Sequence, residues 1–209
     1  MNTNFDENYF RSIEKANTQE RTKREFDYIQ NNVTPMEGER VLDIGCGTGA
    51  FGKAILEKNN GTEVHFSDIS PVAEKYLEGL PFTCCPAEQT PYPDEYFDKV
   101  YCLHTISHVK DRAKVVKELL RITKKGGTLA IIGPNRNNVY LRKLASLVGI
   151  IPSFHFDKTA KWLITKRGVN NLLVSNGWQI ETIVYFGDYV KKSLPLDFLR
   201  LRVLAIAKK

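Results

Sequence analysis

The 209-residue chain predicts an α/β domain on a mostly parallel seven-stranded sheet, doubly wound by helices and finished by an antiparallel C-terminal strand pair. Three observations predict it. Short apolar runs alternate with amphipathic helical stretches along most of the chain. The first run, Arg40–Ile44, leads directly into Gly45-Cys46-Gly47-Thr48-Gly49, a glycine loop between a strand and a helix. The last two runs, residues 179–186 and 198–207, are joined by about eleven residues including Pro195, too short for a crossover helix, so they pair antiparallel.

Residues 1–34 read as a helical arm, broken or frayed in its middle, with Tyr9, Phe10, Ile13, Phe26 and Ile29 turned toward the domain. Pro35, Glu37 and Gly38 end it. After the glycine loop, Phe51–Glu57 is a helix stopped by Asn59-Asn60-Gly61. The second strand, Val64–Ser67, ends at Asp68, and Pro71 opens a helix over Val72–Leu77. Phe82–Cys85 and Phe97–Leu103 are the third and fourth strands. Asp111 caps a helix with the stripe Val115, Val116, Leu119, Leu120 and Ile122, closed by Lys124, Lys125 and Gly126. Thr128–Ile132 is the fifth strand. Residues 135–164 read as an irregular insertion, after which Thr165 caps a helix carrying Val169, Leu172 and Leu173 and ended by Gly177. The expected organisation is one domain over residues 1–209.

Composition narrows the class. Hydrophobic residues make up 42%, enough for a conventional core. No apolar run approaches the ~20 residues that span a bilayer. Met1–Glu7 is polar and acidic, unlike a secretory signal, which points to the cytoplasm. Cys46, Cys84, Cys85 and Cys102 form no CxxC pair and have no histidine at ligand spacing, so a metal site is not expected. Adjacent Cys84 and Cys85 point to opposite faces of a strand and read as reduced thiols. The net charge of +6 is local: residues 135–167 hold seven bases against the single acid Asp157, a surplus equal to that of the whole chain. Elsewhere the charges balance, which argues against a nucleic-acid-binding face.

Without side chains at Gly45, Gly47 and Gly49 the backbone can turn sharply and let a ligand lie on it, with the amides of the next helix aimed at the same spot. Val41-Leu42-Asp43-Ile44-Gly45-Cys46-Gly47-Thr48-Gly49 resembles the nucleotide loop of the class I S-adenosylmethionine-dependent methyltransferases, and the chain is similar to that family from Glu39 to Pro134, more weakly beyond. Its nearest branch is the one holding the ubiquinone and menaquinone methyltransferases. The resemblance implies a Rossmann-like fold with S-adenosylmethionine as cofactor. Asp43 would anchor the loop and the cofactor's amino-acid end, and Gly45, Cys46, Gly47 and Gly49 would meet its methionine and ribose parts. Asp68, with Ile69 after it, matches the acid that takes both ribose hydroxyls. A carboxylate offers two acceptor oxygens to vicinal donors, and Ser70 is at hand to cap the Pro71 helix, which leaves Asp68 for the ribose.

Ala87-Glu88 resembles the family's adenine-contacting Asp-Ala-Glu, with Pro86 where the Asp stands, so the Ala87 backbone or Glu88 itself would have to serve the adenine. Leu103-His104-Thr105, ending the fourth strand, would face the cofactor. Gly126-Gly127-Thr128-Leu129 would open the fifth strand. Tyr9 would close over the cofactor or remain a core contact.

Methyl transfer from a sulfonium is a direct displacement in which alignment matters most. A base helps only a hydroxyl or charged amine nucleophile. His104 and His108 are the candidates for it; four apart, they share a face if a helical turn follows the fourth strand. Residues 135–164 would choose the acceptor. Their bases and apolar residues suit a lid over an anionic small molecule, a patch meeting a membrane-borne acceptor, or a packed helix with a solvated basic face. Three rival functions remain. Gly45-x-Gly47-x-x-Ala50 with Asp68 also satisfies the fingerprint of an NAD-dependent oxidoreductase, although Asp43, Gly49 and the C-terminal strand pair go against it. A protein or RNA methyltransferase would need a docking surface. A binding protein without catalysis would hold the cofactor and turn nothing over. Oligomeric state has no signal in the sequence.

Overall fold

Arg40–Ile44 forms β1, and its position follows from its composition: Val41, Leu42, Asp43 and Ile44 are all buried, as a strand covered on both faces requires. The computed structural model describes residues 5–16, 19–58, 61–149, 159–186 and 202–209. The sheet order is β3-β2-β1-β4-β5-β7-β6. β2 is Glu63–Asp68, β3 Phe82–Cys84, β4 Phe97–Leu103, β5 Thr123–Pro134, β6 Gln179–Phe186 and β7 Arg202–Lys208. The first five strands are parallel, and β7 runs antiparallel to both β5 and β6. The C-terminal pair therefore forms as expected, with β7 inserted beside β5. Residues 198–201 of the last apolar run lie outside the described residues.

Helices cover both faces: α1 (Glu7–Ala16), α2 (Gln19–Gln30), α3 (Ala50–Lys58), α4 (Arg112–Ile122), α5 (Arg136–Leu147) and α6 (Lys166–Val174). On one face, Val115, Val116, Leu119 and Ile122 of α4 and Val169 and Leu173 of α6 pack with Leu42, Val100 and Ile131 of the sheet. On the other, Phe26 and Ile29 of α2 and Ile55 of α3 meet Val41, Tyr101, Ile132 and Ile206. The arm is thus part of the core: the Tyr101 hydroxyl donates to the Val33 carbonyl at 2.6 Å. The break in the arm falls between α1 and α2, and the side chain of Ile13 lies outside the described residues.

The capping signals hold. The Asp111 carboxylate accepts from the amides of Ala113 and Lys114, and Thr165 Oγ1 from that of Gly168. α6 runs to Val174, and Gly177 closes it as expected: with φ 94° it turns the chain out of the helix, its amide donating to the Val174 carbonyl and that of Trp178 to Leu173. Three expectations need correction. Val72–Leu77 is a 3-10 turn, Pro71–Tyr76, rather than an α-helix; Ser70 caps it through the Val72 amide. α4 passes straight into β5 at Thr123, whose hydroxyl donates back to Leu119, so Lys124, Lys125 and Gly126 lie in a strand instead of ending a helix. The register shift between Phe97 and Lys99 accommodates the extra residues. The insertion begins as the helix α5, capped by Asn135 on the Asn137 amide, where an irregular segment was expected.

Candidate functional site

β1 is followed in space by β2 on one side and β4 on the other, so the chain leaves the sheet in opposite directions from neighbouring strand ends. In such sheets this reversal opens a crevice outside the carboxyl ends of the strands. The glycine loop and His104 both lie on that rim.

All three loop glycines have positive φ: 69° at Gly45, 56° at Gly47 and 73° at Gly49. The loop is tied to β2, the amides of Gly45 and Cys46 both donating to the Ser67 carbonyl, at 2.7 and 3.0 Å. The glycines differ in what surrounds them. A Cβ on Gly45 would lie 2.1 Å from Thr105 Oγ1, and one on Gly49 would lie 2.3 Å from Leu77 Cδ2. Those two are glycine because protein packs against them. A Cβ on Gly47 would meet nothing within 4 Å. Open space faces the middle of the loop, where a ligand can lie on the main chain. Gly52, in the first turn of α3, is a fourth restricted glycine that the spacing did not single out: a Cβ there would lie 2.3 Å from Phe66 Cε1.

Two acids flank the loop. Asp43 is buried, and its Oδ2 accepts from the Gly52 amide at 3.1 Å, which fixes the start of α3 to the end of β1. Burial pushes its carboxyl up to about 7, the Gly52 amide pulling it down and the Asp68 charge pushing it further up. Asp68 is also buried; Oδ2 accepts from the Gly47 amide at 3.0 Å and Oδ1 from Ser70 at 2.9 Å. Its pKa too is raised by burial, against the amides of Ser70, Gly47 and Ile69 and the nearby His108. A carboxylate has about four acceptor positions, so two donors can still be received here.

Around this centre, Ile69 is 44% exposed beside Asp68, a large apolar side chain left open at the rim. Ala87 is buried in the core. Glu88 turns toward the start of α4, its Oε1 accepting from the Lys110 amide at 3.0 Å, so the carboxylate is engaged in holding that turn. Leu103 is partly buried against the α2 and α3 side of the sheet. Cys46 is half-buried, and burial drives its thiol far above the ordinary range, so it is no nucleophile near neutral pH.

His104 and His108 bracket a single 3-10 turn, Thr105–Ser107, and meet different neighbours instead of sharing a helix face. His104 has a left-handed backbone, φ 62°, and its Nε2 lies 3.0 Å from Glu25 Oε2 of α2. Glu25 also pairs with Arg202 at the start of β7. His108 Nδ1 lies 3.0 Å from Thr159 Oγ1, and its ring stands edge-on to Phe5. Phe5 in turn accepts from Ser70 Oγ and packs on Tyr9, so the arm reaches the end of β2 beside Asp68. Glu25, Arg202 and Thr159 were not legible in the sequence: Glu25 and His104 are 79 residues apart and no motif joins them. Glu25→Ala, which removes the carboxylate lying between His104 and Arg202 in a mostly buried place, should cost about 2 kcal/mol and lower the melting midpoint by about 4–8 °C in a thermal scan. An unchanged midpoint would show the pair to be structurally neutral.

A methyltransferase-domain model matches residues 42–131, from β1 through the glycine loop into β5. Among curated relatives, 27-O-demethylrifamycin SV methyltransferase of Amycolatopsis mediterranei is 30% identical over 56% of this chain and 47% of its own. A ubiquinone/menaquinone biosynthesis C-methyltransferase of Bordetella avium is 31% identical over 54% and 46%. The chain thus spans about half the length of these relatives. A solved S-adenosylmethionine-dependent methyltransferase of Aquifex aeolicus superposes with a TM-score of 0.70 over 95% of this chain and 97% of its own, at 17% identity, a likeness of fold. Motif, strand order and domain match agree: residues 42–131 match a methyltransferase domain, set in a sheet whose fold is that of the solved S-adenosylmethionine-dependent methyltransferases.

Proposed function

We propose that the protein transfers a methyl group from S-adenosylmethionine to a small-molecule acceptor of anionic or amphipathic character. The observation that carries this reading is the open space over Gly47, bordered by Asp68 with acceptor positions to spare. The residues present fit the cofactor. Gly45, Cys46, Gly47 and Gly49 offer main chain to its methionine and sugar, Asp68 two acceptors to its ribose hydroxyls, and Asp43 a negative end to its amino-acid part. Ile69, Leu103 and the Ala87 backbone are the apolar and main-chain candidates for the adenine side. Glu88, tied to Lys110, is better placed to support that wall than to bind the base. When bound, the cofactor supplies an electrophilic methyl carbon on a sulfonium, taken by the acceptor's lone pair in a direct displacement.

The chain's own work is positioning. The arm, through Phe5 and Tyr9, covers the β2 end of the crevice and keeps water from it. Residues 135–164 are the segment assigned to choosing the acceptor. The amides of Lys161 and Trp162 both donate to Ser107, which ties the insertion to the turn after β4. A carboxylate only accepts, so Glu25 draws the proton of a neutral His104 to Nε2 and orients the ring at the end of β4. A hydroxyl or ammonium acceptor would use an imidazole there as its base; a carbon or ionised nucleophile needs none. Four free cysteines accord with the cytoplasm as its compartment. Relatives named for rifamycin, ubiquinone and menaquinone, ajmaline and sterol methylation support a small molecule as the acceptor.

Calorimetry with S-adenosylmethionine, S-adenosylhomocysteine and NAD tests the reading. The first two should bind and NAD should not; binding of NAD alone overturns it. Asp68→Ala should weaken S-adenosylmethionine at least about tenfold, the size expected when a buried acceptor is taken from two donors. Equal affinity would remove Asp68 from the site. Quinone precursors, sugars and hydroxy acids, screened by detection of the homocysteine product, would then identify the acceptor.

A further inference from the structure

The outward face of α5 is apolar. Its buried residues are Asn138 and Val139. Tyr140, Leu141, Leu144, Leu147 and the following Val148 are between 45% and 81% exposed. At the helical repeat these five fall in one arc of about 120°, the width of a stripe that ordinarily faces a core. Arg136 and Lys143 are exposed along one edge of that arc. Contiguous apolar surface of this kind marks an interaction site.

We propose that this face docks on a bilayer containing anionic lipid, with the leucines in the headgroup–acyl boundary and Arg136 and Lys143 at the phosphates. A single convex helix offers no groove for a partner's side chains, whereas fluid acyl chains conform to it. A second copy laid antiparallel on the same face by two-fold symmetry would bring Lys143, near the middle of the stripe, close to its own counterpart, in a segment with seven bases and one acid. An anionic surface complements that charge, and Tyr140 suits the headgroup level. α5 begins where β5 ends, and Ile132 near that end accepts from the His104 amide at 2.8 Å, so the docked helix lies on the rim of the crevice. If the methyl-transfer reading also holds, on which this consequence alone rests, the acceptor is an amphipathic molecule resident in the membrane.

Flotation of the full chain with phosphatidylcholine vesicles, with and without phosphatidylglycerol, tests the docking. Retention should be about tenfold greater on the anionic vesicles and fall with added salt. Leu147→Glu and Leu144→Glu, each at an exposed position, should each abolish it without changing the melting midpoint or the affinity for S-adenosylmethionine. Absence of retention, equal retention on both vesicles, or retention unaffected by Leu147→Glu overturns the proposal. So does a concentration-dependent dimer that Leu147→Glu dissolves while vesicles capture nothing. Vesicle binding by a chain that fails to bind S-adenosylmethionine in calorimetry sustains the docking and removes only the consequence for the acceptor.

Discussion

Gly45→Ala should unfold well below the parent, while Gly47→Ala should stay folded and lose its cofactor. The two positions share a positive φ and a motif, so a reading based on the motif alone expects the same result from both. Their surroundings separate them. A Cβ at 45 would run into Thr105, whose Oγ1, Cγ2 and Cβ would lie 2.1, 2.4 and 2.7 Å away. Thr105 cannot retreat easily, because it is β-branched and its hydroxyl lies within hydrogen-bonding distance of the carbonyls of Ile44, Gly45 and Leu103. Overpacking together with a left-handed alanine should cost about 3 kcal/mol, or about 6–12 °C in the melting midpoint. At 47 only the backbone contribution applies, about 1 kcal/mol, or about 2–4 °C. The new methyl group there enters the open space over the loop, so affinity for S-adenosylmethionine should fall at least about tenfold, the equivalent of about 1.4 kcal/mol. Thr105→Ala combined with Gly45→Ala should cost less than the two changes summed, since the smaller side chain makes room. Equal melting of the two glycine variants, or strict additivity of the double variant, would refute the division between a packed glycine and a binding glycine.

That division also shows which parts of the site could be read from the chain. Local signals carried far. The fourth strand lies at Phe97–Leu103 as expected, the Asp111 and Thr165 caps are in place, and Ser70 caps the turn at Pro71, leaving Asp68 directed at the loop. Each of these rests on chemistry within a few residues. The losses come from interactions distant in sequence. Glu25 reaches His104 from α2, Thr159 reaches His108 from the insertion, and Thr105 closes on Gly45 from the next strand over. None leaves a trace in spacing. α5, only one of three readings of the insertion, went unplaced for a different reason. Its apolar residues face outward and its buried face carries Asn138, so the expected inward stripe is reversed and the segment does not look like a core helix. The extension of β5 back to Thr123 escaped because Lys124, Lys125 and Gly126 read as a helix terminator, whereas the register shift opposite Asp98 absorbs them into the strand.

Asp43→Asn should make the ligand-free protein more stable above neutral pH while weakening its hold on the cofactor. The sign follows from the stronger grip of the folded chain on one proton. Burial raises the folded-state pKa of Asp43 to about 7, above the usual carboxylate value, so the folded chain holds this proton more tightly than the unfolded one. Its contribution is therefore most favourable below about pH 4 and is lost as pH rises from there to about 7. Above that, the folded chain carries a buried charge at a cost of up to about 4 kcal/mol, since each tenfold gain in proton affinity corresponds to about 1.4 kcal/mol. Asparagine is neutral throughout and keeps an oxygen for the Gly52 amide, whose bond to Asp43 fixes the start of α3. The variant should match the parent near pH 4 and melt progressively higher as pH approaches 8. Binding should show the opposite preference. The methyl donor brings a sulfonium and an ammonium, and these positive charges favour the ionised forms of Asp43 and Asp68, both of which burial otherwise disfavours. Parent affinity for S-adenosylmethionine should rise between pH 6 and 8, with release of a proton that calorimetry in buffers of different ionisation enthalpy can count. In Asp43→Asn that rise should shrink. A variant less stable than the parent at pH 8 would mean that the ionised carboxylate already serves the ligand-free fold, and that the acid is held for α3 alone.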